Sequence, residues 1–208
     1  MALPAPQPYL SEEDYLAGEL LSDTKHEYID GVAYAMAGAS KNHQRLCSTI
    51  NRLFGNHLSG SPCDVYSSDV KVKAGKDFFY PDVMVVCEDK TSHEYYTESP
   101  VIIVEILSKS TRRTDRALKR LAYQRLPSLQ EYVLVEQDIV EVEICRRANH
   151  WQSENYFLGD EVCFASIGLT LAVAEIYARV ENEDMAEFLK AAAQAQPAGE
   201  PPPGGQAI

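Results

Sequence analysis

The chain has 208 residues and a mass of 23.2 kDa, with 45% hydrophobic and 24% charged residues and a formal net charge of −12. These proportions exclude a collagen-like or wholly disordered chain and suit one domain with short appendages. No apolar run reaches the roughly 18 residues that a membrane helix needs, and the acidic balance argues against a broad basic footprint for nucleic acid.

Residues 1–9 carry Pro4, Pro6 and Pro8 and no Lys or Arg. They are expected to form a loose arm rather than a secretory signal, which makes the cytoplasm the expected compartment. Ser11 followed by Asp14 predicts a capped helix start. Asp30-Gly31 between apolar residues predicts a β-hairpin. Ser40 opens a second helix running to about residue 57, with Leu46, Ile50, Leu53 and Phe54 on one face, and Gly60 and Pro62 end it. Strands are predicted over residues 64–72, 78–86 and 101–107, with a turn at 74–77. A helix then follows Thr111, with Leu118, Leu121 and Ala122 directed inward, and Pro127 stops it. Residues 131–136, 139–145 and 151–157 read as further strands, and 173–180 and 184–193 as short helices. From Gln194 the chain is rich in Ala, Pro and Gly, which predicts a disordered tail over 194–208. The expected organisation is thus an arm (1–9), one α/β domain (10–193) and a tail.

Cys47, Cys63, Cys87, Cys145 and Cys163 show no CxxC or zinc spacing. They are expected to be reduced and mostly buried.

Two acids stand out. The run Val101-Ile-Ile-Val-Glu105-Ile-Leu107 lacks alternation, as a strand covered on both faces does, yet Glu105 sits in its middle. Phe78-Phe-Tyr-Pro-Asp82-Val-Met-Val-Val86 repeats the pattern, and Pro81 forces a bend or an edge there. Buried carboxylates on neighbouring strands repel unless a cation lies between them. Magnesium suits such a pair, with waters and substrate phosphate completing its shell. The structural alternative is that Asp82 caps a turn and Glu105 pairs with an arginine of the following helix. Between residues 111 and 126 there are six bases against one acid. Among those bases, Lys119 shares a helix face with Tyr123 and could offset charge at a phosphoryl centre.

Glu27-Tyr-Ile-Asp-Gly31, Tyr80-Pro-Asp82, Pro100-Val-Ile-Ile-Val-Glu-Ile-Leu-Ser108, Ser110-Thr111, Asp115-Arg116, Lys119-Arg-Leu-Ala-Tyr123 and Pro127-Ser-Leu-Gln-Glu-Tyr132 occur in this order. Together they resemble the Uma family, grouped as endonucleases within the PD-(D/E)XK restriction-endonuclease-like superfamily, over about residues 10–180. The resemblance implies a restriction-endonuclease-like fold, a mixed central sheet flanked by helices with an N-terminal hairpin. It implies that Asp82 and Glu105 bind Mg²⁺ or Mn²⁺. The superfamily's lysine, usually two residues after the second acid, is replaced here by Leu107. The resemblance selects Lys119 for its role, with Lys109 as a rival. Glu27 matches a family acid that joins the site, and His43 matches a position considered as a phosphate contact.

The function implied is a Mg²⁺-dependent endonuclease acting on nucleic acid, DNA in the first instance. Arg112, Arg113 and Arg116 would grip the backbone, and a homodimer is the expected assembly, with no membrane partner. The alternative is a nuclease-fold binding or regulatory module with little catalysis, which the net charge favours. A third reading is a structural oligomerising domain that uses the apolar strands near residues 132–135 and 140–144 as its interface.

Overall fold

The structure is a computed structural model and describes residues 9–89 and 93–195. The expected arm, except Tyr9, and the expected tail beyond Ala195 lie outside the described residues. The chain opens with helix α1 (Glu12–Glu19), where the Ser11 hydroxyl oxygen accepts from the Asp14 amide at 3.1 Å. Strands β1 (His26–Ile29) and β2 (Val32–Ala35) then form the expected hairpin. Its two turn residues, Asp30 and Gly31, both have positive φ (49° and 84°), as a two-residue turn matched to strand twist requires. Helix α2 (Lys41–His57) follows with Ser40 as its N-cap. Next come β3 (Asp64–Tyr66), β4 (Lys71–Ala74), β5 (Asp77–Phe79), β6 (Val83–Val86), β7 (Tyr96–Thr97) and β8 (Ile102–Leu107). Helix α3 spans residues 112–123 as Arg112–Thr114, a π-helical turn Asp115–Lys119, and Arg120–Tyr123. Strands β9 (Glu131–Glu136), β10 (Val142–Arg146), β11 (Ser153–Tyr156), β12 (Glu161–Phe164) and β13 (Leu169–Ala172) follow, then helices α4 (Val173–Ile176) and α5 (Glu183–Ala195). Helix α5 therefore runs two residues into the stretch expected as tail.

The central element is a six-stranded mixed sheet in the order β11-β10-β9-β8-β6-β3. Strands β8 and β9 are parallel, joined through α3, and β6 lies antiparallel on the other side of β8. This is the strand, strand, helix, strand unit expected around residues 78–136. A five-stranded sheet, β2-β1-β5-β4-β7, stands beside it, and β12-β13 form a separate hairpin.

Two expected strands are each divided between the two sheets. Residues 64–72 split into β3 and β4, and residues 78–86 into β5 and β6. Pro81 offers no amide to continue a ladder, and Ser68 has a φ of 60°. The two breaks meet, because the Ser68 amide donates to the Pro81 carbonyl at 3.2 Å. Asp82 thus sits where the chain passes from one sheet to the other.

Both faces of the central sheet are covered. Val83, Val85, Ile102, Val104, Ile106, Val133 and Val135 pack under Leu46, Ile50 and Phe54 of α2. The opposite face carries Met84, Ile103, Leu107, Tyr132 and Leu134, packed with Val72 and Phe79 of the second sheet and Tyr123 of α3. Alternation places Glu105, between Ile103 and Leu107, on this second face.

Three further expectations need correction. Leu118 and Leu121 point outward, 39% and 62% exposed. Helix α3 buries Asp115, Lys119 and Tyr123 instead, because that row meets Glu105. The strands considered as an oligomer interface are core: Tyr132, Val133, Leu134, Val135, Val140, Val142 and Ile144 are all buried. The thiols are not all reduced. Cys63 and Cys87 form a disulfide where β3 pairs with β6, while Cys47 and Cys145 are free and buried and Cys163 is exposed. Among the described residues no helix is long and apolar enough to cross a membrane.

The hairpin turn positions Glu27, so its backbone matters to the site. Gly31 holds a left-handed φ, and an added Cβ would come within 2.3 Å of the Tyr9 ring. Gly31→Ala is expected to cost about 1–2 kcal/mol, read as a lowered midpoint in urea with an unchanged slope.

Candidate active site

The register of β6 against β8 pairs Val83 with Val104. Continued by one residue, it sets Asp82 opposite Glu105 on the same face of the sheet. Asp82 is fixed from two directions. Its Oδ2 accepts from the Ile106 amide at 2.7 Å, and its carbonyl accepts from the Cys47 thiol at 3.2 Å. His43, in the first turn of α2, brings Nε2 to 3.3 Å from the same Oδ2. His43 Nδ1 is buried and has no hydrogen-bond partner among the described residues.

Glu105 is 2% exposed and Lys119 is 5% exposed. Glu105 Oε1 accepts from the Lys119 ammonium at 3.2 Å and from the Tyr123 hydroxyl at 3.0 Å. The same ammonium lies 2.7 Å from Glu27 Oε1 and 3.2 Å from Asp115 Oδ1. Glu27 also accepts from the Tyr80 amide at 3.4 Å, which ties β1 to the Tyr80-Pro81-Asp82 corner. Spacing along α3 explains the convergence. Asp115, Lys119 and Tyr123 are four residues apart and form one row on the helix. Their backbone includes a single π-helical turn, a feature often found at functional sites. The buried Tyr132 hydroxyl donates to the Asp115 carbonyl at 2.9 Å and holds that turn.

Charge in this cluster is unbalanced. Three carboxylates (Glu27, Glu105, Asp115) contact one ammonium, and Asp82 adds its charge beside Glu105. Burial pushes the Glu105 carboxyl well above its ordinary range. Lys119 pulls it down, and Asp115, Asp82 and Glu27 push it further up. Asp115 is also raised, chiefly by burial. Burial alone would lower Lys119, but Glu105, Glu27 and Asp115 together outweigh it and hold the ammonium well above its usual range. Lys119 is therefore a fixed cation.

The donor set fits a hard divalent cation. Asp82 and Glu105 offer carboxylate oxygens, and the excess negative charge that opposes ionisation of Glu105 is what such an ion would offset. No group of three or more His, Cys, Asp or Glu among the described residues is arranged to hold a metal by itself.

The structure brings together Asp82, Glu105, Lys119, Glu27 and His43. Lys109 is exposed in the loop after β8. Sequence reasoning missed the part played by Asp115 and by the Tyr123 hydroxyl, although their four-residue spacing from Lys119 was the available signal. The arginines are placed differently from expectation. Arg112 Nε donates to Glu136 Oε1 at 2.9 Å, and Arg116 pairs with Glu136 and Glu143. Arg120 reaches Glu143 at 3.3 Å. Glu136 and Glu143 are buried in β9 and β10, so this row of α3 anchors the helix to the sheet. Of the three arginines expected on nucleic acid, Arg113 is the exposed one. Arg116→Gln is accordingly expected to destabilise by about 2 kcal/mol through the buried carboxylates it leaves less well paired. In a chain of this size that lowers the melting temperature by roughly 5 °C in a thermal scan.

The family model Uma2, described as "Putative restriction endonuclease", matches residues 12–174. The chain belongs to the Uma2 family. Among its relatives, "Uncharacterized protein slr1290" from Synechocystis sp. is 40% identical over 179 residues, covering 83% of this chain and 94% of the relative. A second Synechocystis protein, "Uncharacterized protein sll1609", is 32% identical over 148 residues, covering 69% of this chain and 80% of its own. The fold is similar to the crystal structure of "a putative nuclease belonging to DUF820" from Anabaena variabilis. Its TM-score is 0.71 at 16% identity, over 83% of this chain and 99% of that one.

Proposed function

We propose that the protein is a magnesium-dependent endonuclease that hydrolyses phosphodiester bonds in DNA. Asp82 and Glu105 are the residues that would hold the cation, Mg²⁺ or Mn²⁺. When bound, the ion supplies Lewis-acid stabilisation of the phosphoryl group and lowers the pKa of water. The chain's own residues do the rest. Lys119 presents a permanent positive charge to the phosphoryl oxygens as negative charge develops on them. Glu27 and Asp115 hold that ammonium in place, and the Tyr123 hydroxyl fixes the Glu105 carboxylate. His43 orients Asp82 through Nε2.

The observation that carries this reading is the cluster of Glu27, Glu105 and Asp115 around Lys119, with Asp82 set opposite Glu105 by register. A purely structural cluster gains nothing from a second buried acid beside Glu105, since Lys119 is the one cation that Glu105 and Asp115 share and uncompensated buried charge costs stability. Calorimetric titration of the apo protein with Mn²⁺, together with nicking of supercoiled plasmid in Mg²⁺, tests it. Binding at millimolar metal and metal-dependent nicking are expected. Absence of both would reject the reading.

One observation favours a second reading, a binding or regulatory module of little catalytic power. Arg112, Arg116 and Arg120 are committed to Glu136 and Glu143, which leaves the acidic surface with little to attract a polyanion. Metal binding without nicking would select it.

A further inference from the structure

The hairpin that carries Glu27 also carries an aromatic side chain that the fold does not use. The β1–β2 register pairs Glu27 with Tyr34. Directly opposed residues of antiparallel strands project from the same face, with Cβ atoms about 5 Å apart. Tyr34 therefore stands beside the Glu27 carboxylate, whose Oε1 is 2.7 Å from Lys119. Strand β2 is the edge of its sheet, so the outer side of Tyr34 faces solvent. Tyr34 is 50% exposed, against a core that buries Tyr15, Tyr28, Tyr80, Tyr123, Tyr132 and Tyr177. Its hydroxyl has no partner among the described residues. On α3, Leu118 precedes Lys119, is 39% exposed, and lies on the flank opposite the arginine row. The active cluster is thus bordered by an exposed aromatic ring and an exposed aliphatic side chain.

We propose that Tyr34 is a stacking platform for an unpaired base of a single-stranded DNA segment whose phosphate lies at the Asp82–Glu105–Lys119 cluster. The inference rests on the nuclease reading and adds to it where affinity comes from and which form of nucleic acid is taken. Electrostatic grip on the backbone is weak here. The helix that looks basic in sequence spends Arg112, Arg116 and Arg120 on buried glutamates, and the whole chain is acidic. A nucleotide offers one other feature that a protein can hold without charge, the face of its base. That face is one sugar away from the phosphate, and Tyr34 is one strand away from the cluster. Stacking on aromatic side chains is worth enough per base to replace several phosphate contacts, and it is indifferent to sequence. A base paired inside a duplex cannot present its face, so the platform selects frayed, flipped or single-stranded DNA.

The test uses the full chain with a short single-stranded DNA carrying 2-aminopurine, in Ca²⁺ in place of Mg²⁺. Anisotropy reads affinity and 2-aminopurine quenching reads stacking. Wild type and Tyr34→Phe are expected to bind and quench alike. Tyr34→Ala is expected to bind about tenfold more weakly and to lose the quenching, at an unchanged melting temperature because the side chain is half exposed on an edge strand. The same substitution should matter far less for a duplex of that sequence. Equal binding by wild type and Tyr34→Ala overturns the stacking role while leaving the nuclease reading intact. Failure of wild type to bind the oligonucleotide also overturns the single-strand inference, while the nuclease reading stands or falls separately on Mn²⁺ binding and plasmid nicking.

Discussion

Replacing Lys119 by methionine should lower the rate of metal-dependent nicking by at least about 100-fold, the lower end for loss of a positioned charge at a phosphoryl centre. Lys109→Met should change it far less. The two lysines differ in what holds them. Lys119 is buried on α3 with its ammonium against Glu105, Glu27 and Asp115. Lys109 is exposed in a loop, where nothing fixes its ammonium before the substrate arrives. The substitution also has a structural cost, because it leaves three carboxylates around a site with no cation. Breaking a buried pair in this way costs about 3 kcal/mol or more, which in a chain of this size is roughly 6–12 °C in melting temperature. Nicking is therefore to be assayed well below the melting point of the variant. Affinity for Mn²⁺ separates catalysis from collapse. Removing a positive charge beside Asp82 and Glu105 should strengthen metal binding, so a variant that holds Mn²⁺ more tightly and yet nicks 100-fold more slowly has lost a catalytic charge. An undiminished rate, or a larger loss in Lys109→Met, would mean that the wrong lysine has been chosen.

The fold was legible wherever local chemistry had one interpretation. Asp30-Gly31 and the cap at Ser40 fixed their elements, and the unalternating run around Glu105 identified the covered central strand β8. The misreadings have physical causes. Residues 64–72 look like one strand because they alternate, and residues 78–86 because both halves are apolar. Only the partner sheet distinguishes the halves, and sheet membership is a tertiary property. For α3, the rule that apolar residues face inward chose Leu118 and Leu121, whereas the helix docks through Asp115, Lys119 and Tyr123. A buried charged row is invisible to hydrophobic periodicity, because it is stabilised by a carboxylate on another strand. The basic character of the same helix suggested nucleic-acid contacts for a related reason. Net charge along a segment does not reveal that Glu136 and Glu143, on strands β9 and β10, neutralise it.

Asp82→Asn and Glu105→Gln should each remove metal-dependent nicking to below detection while leaving a folded protein at least as stable as wild type when no metal is present. Both substitutions keep volume nearly constant and keep the native acceptors. An asparagine carbonyl can still accept from the Ile106 amide, and a glutamine carbonyl can still accept from Lys119 and Tyr123. Each removes one carboxylate from the acidic group of Asp82, Glu27, Glu105 and Asp115, which holds a single ammonium. At Glu105 the new amide places a donor where a like charge faced Asp82, so repulsion becomes attraction. The two proteins should then diverge on adding Mg²⁺. A ligand that binds only the native state stabilises it by about 2.7 kcal/mol at a concentration one hundred times its dissociation constant. The wild-type melting temperature should therefore climb with Mg²⁺, while those of the variants stay flat. Thermal scans across a magnesium series read both halves of this expectation without any need for activity. If the variants melt far below wild type without metal, the two acids serve the fold as ion-pair partners. If they follow wild type upward as Mg²⁺ is added, the cation is bound somewhere other than between Asp82 and Glu105.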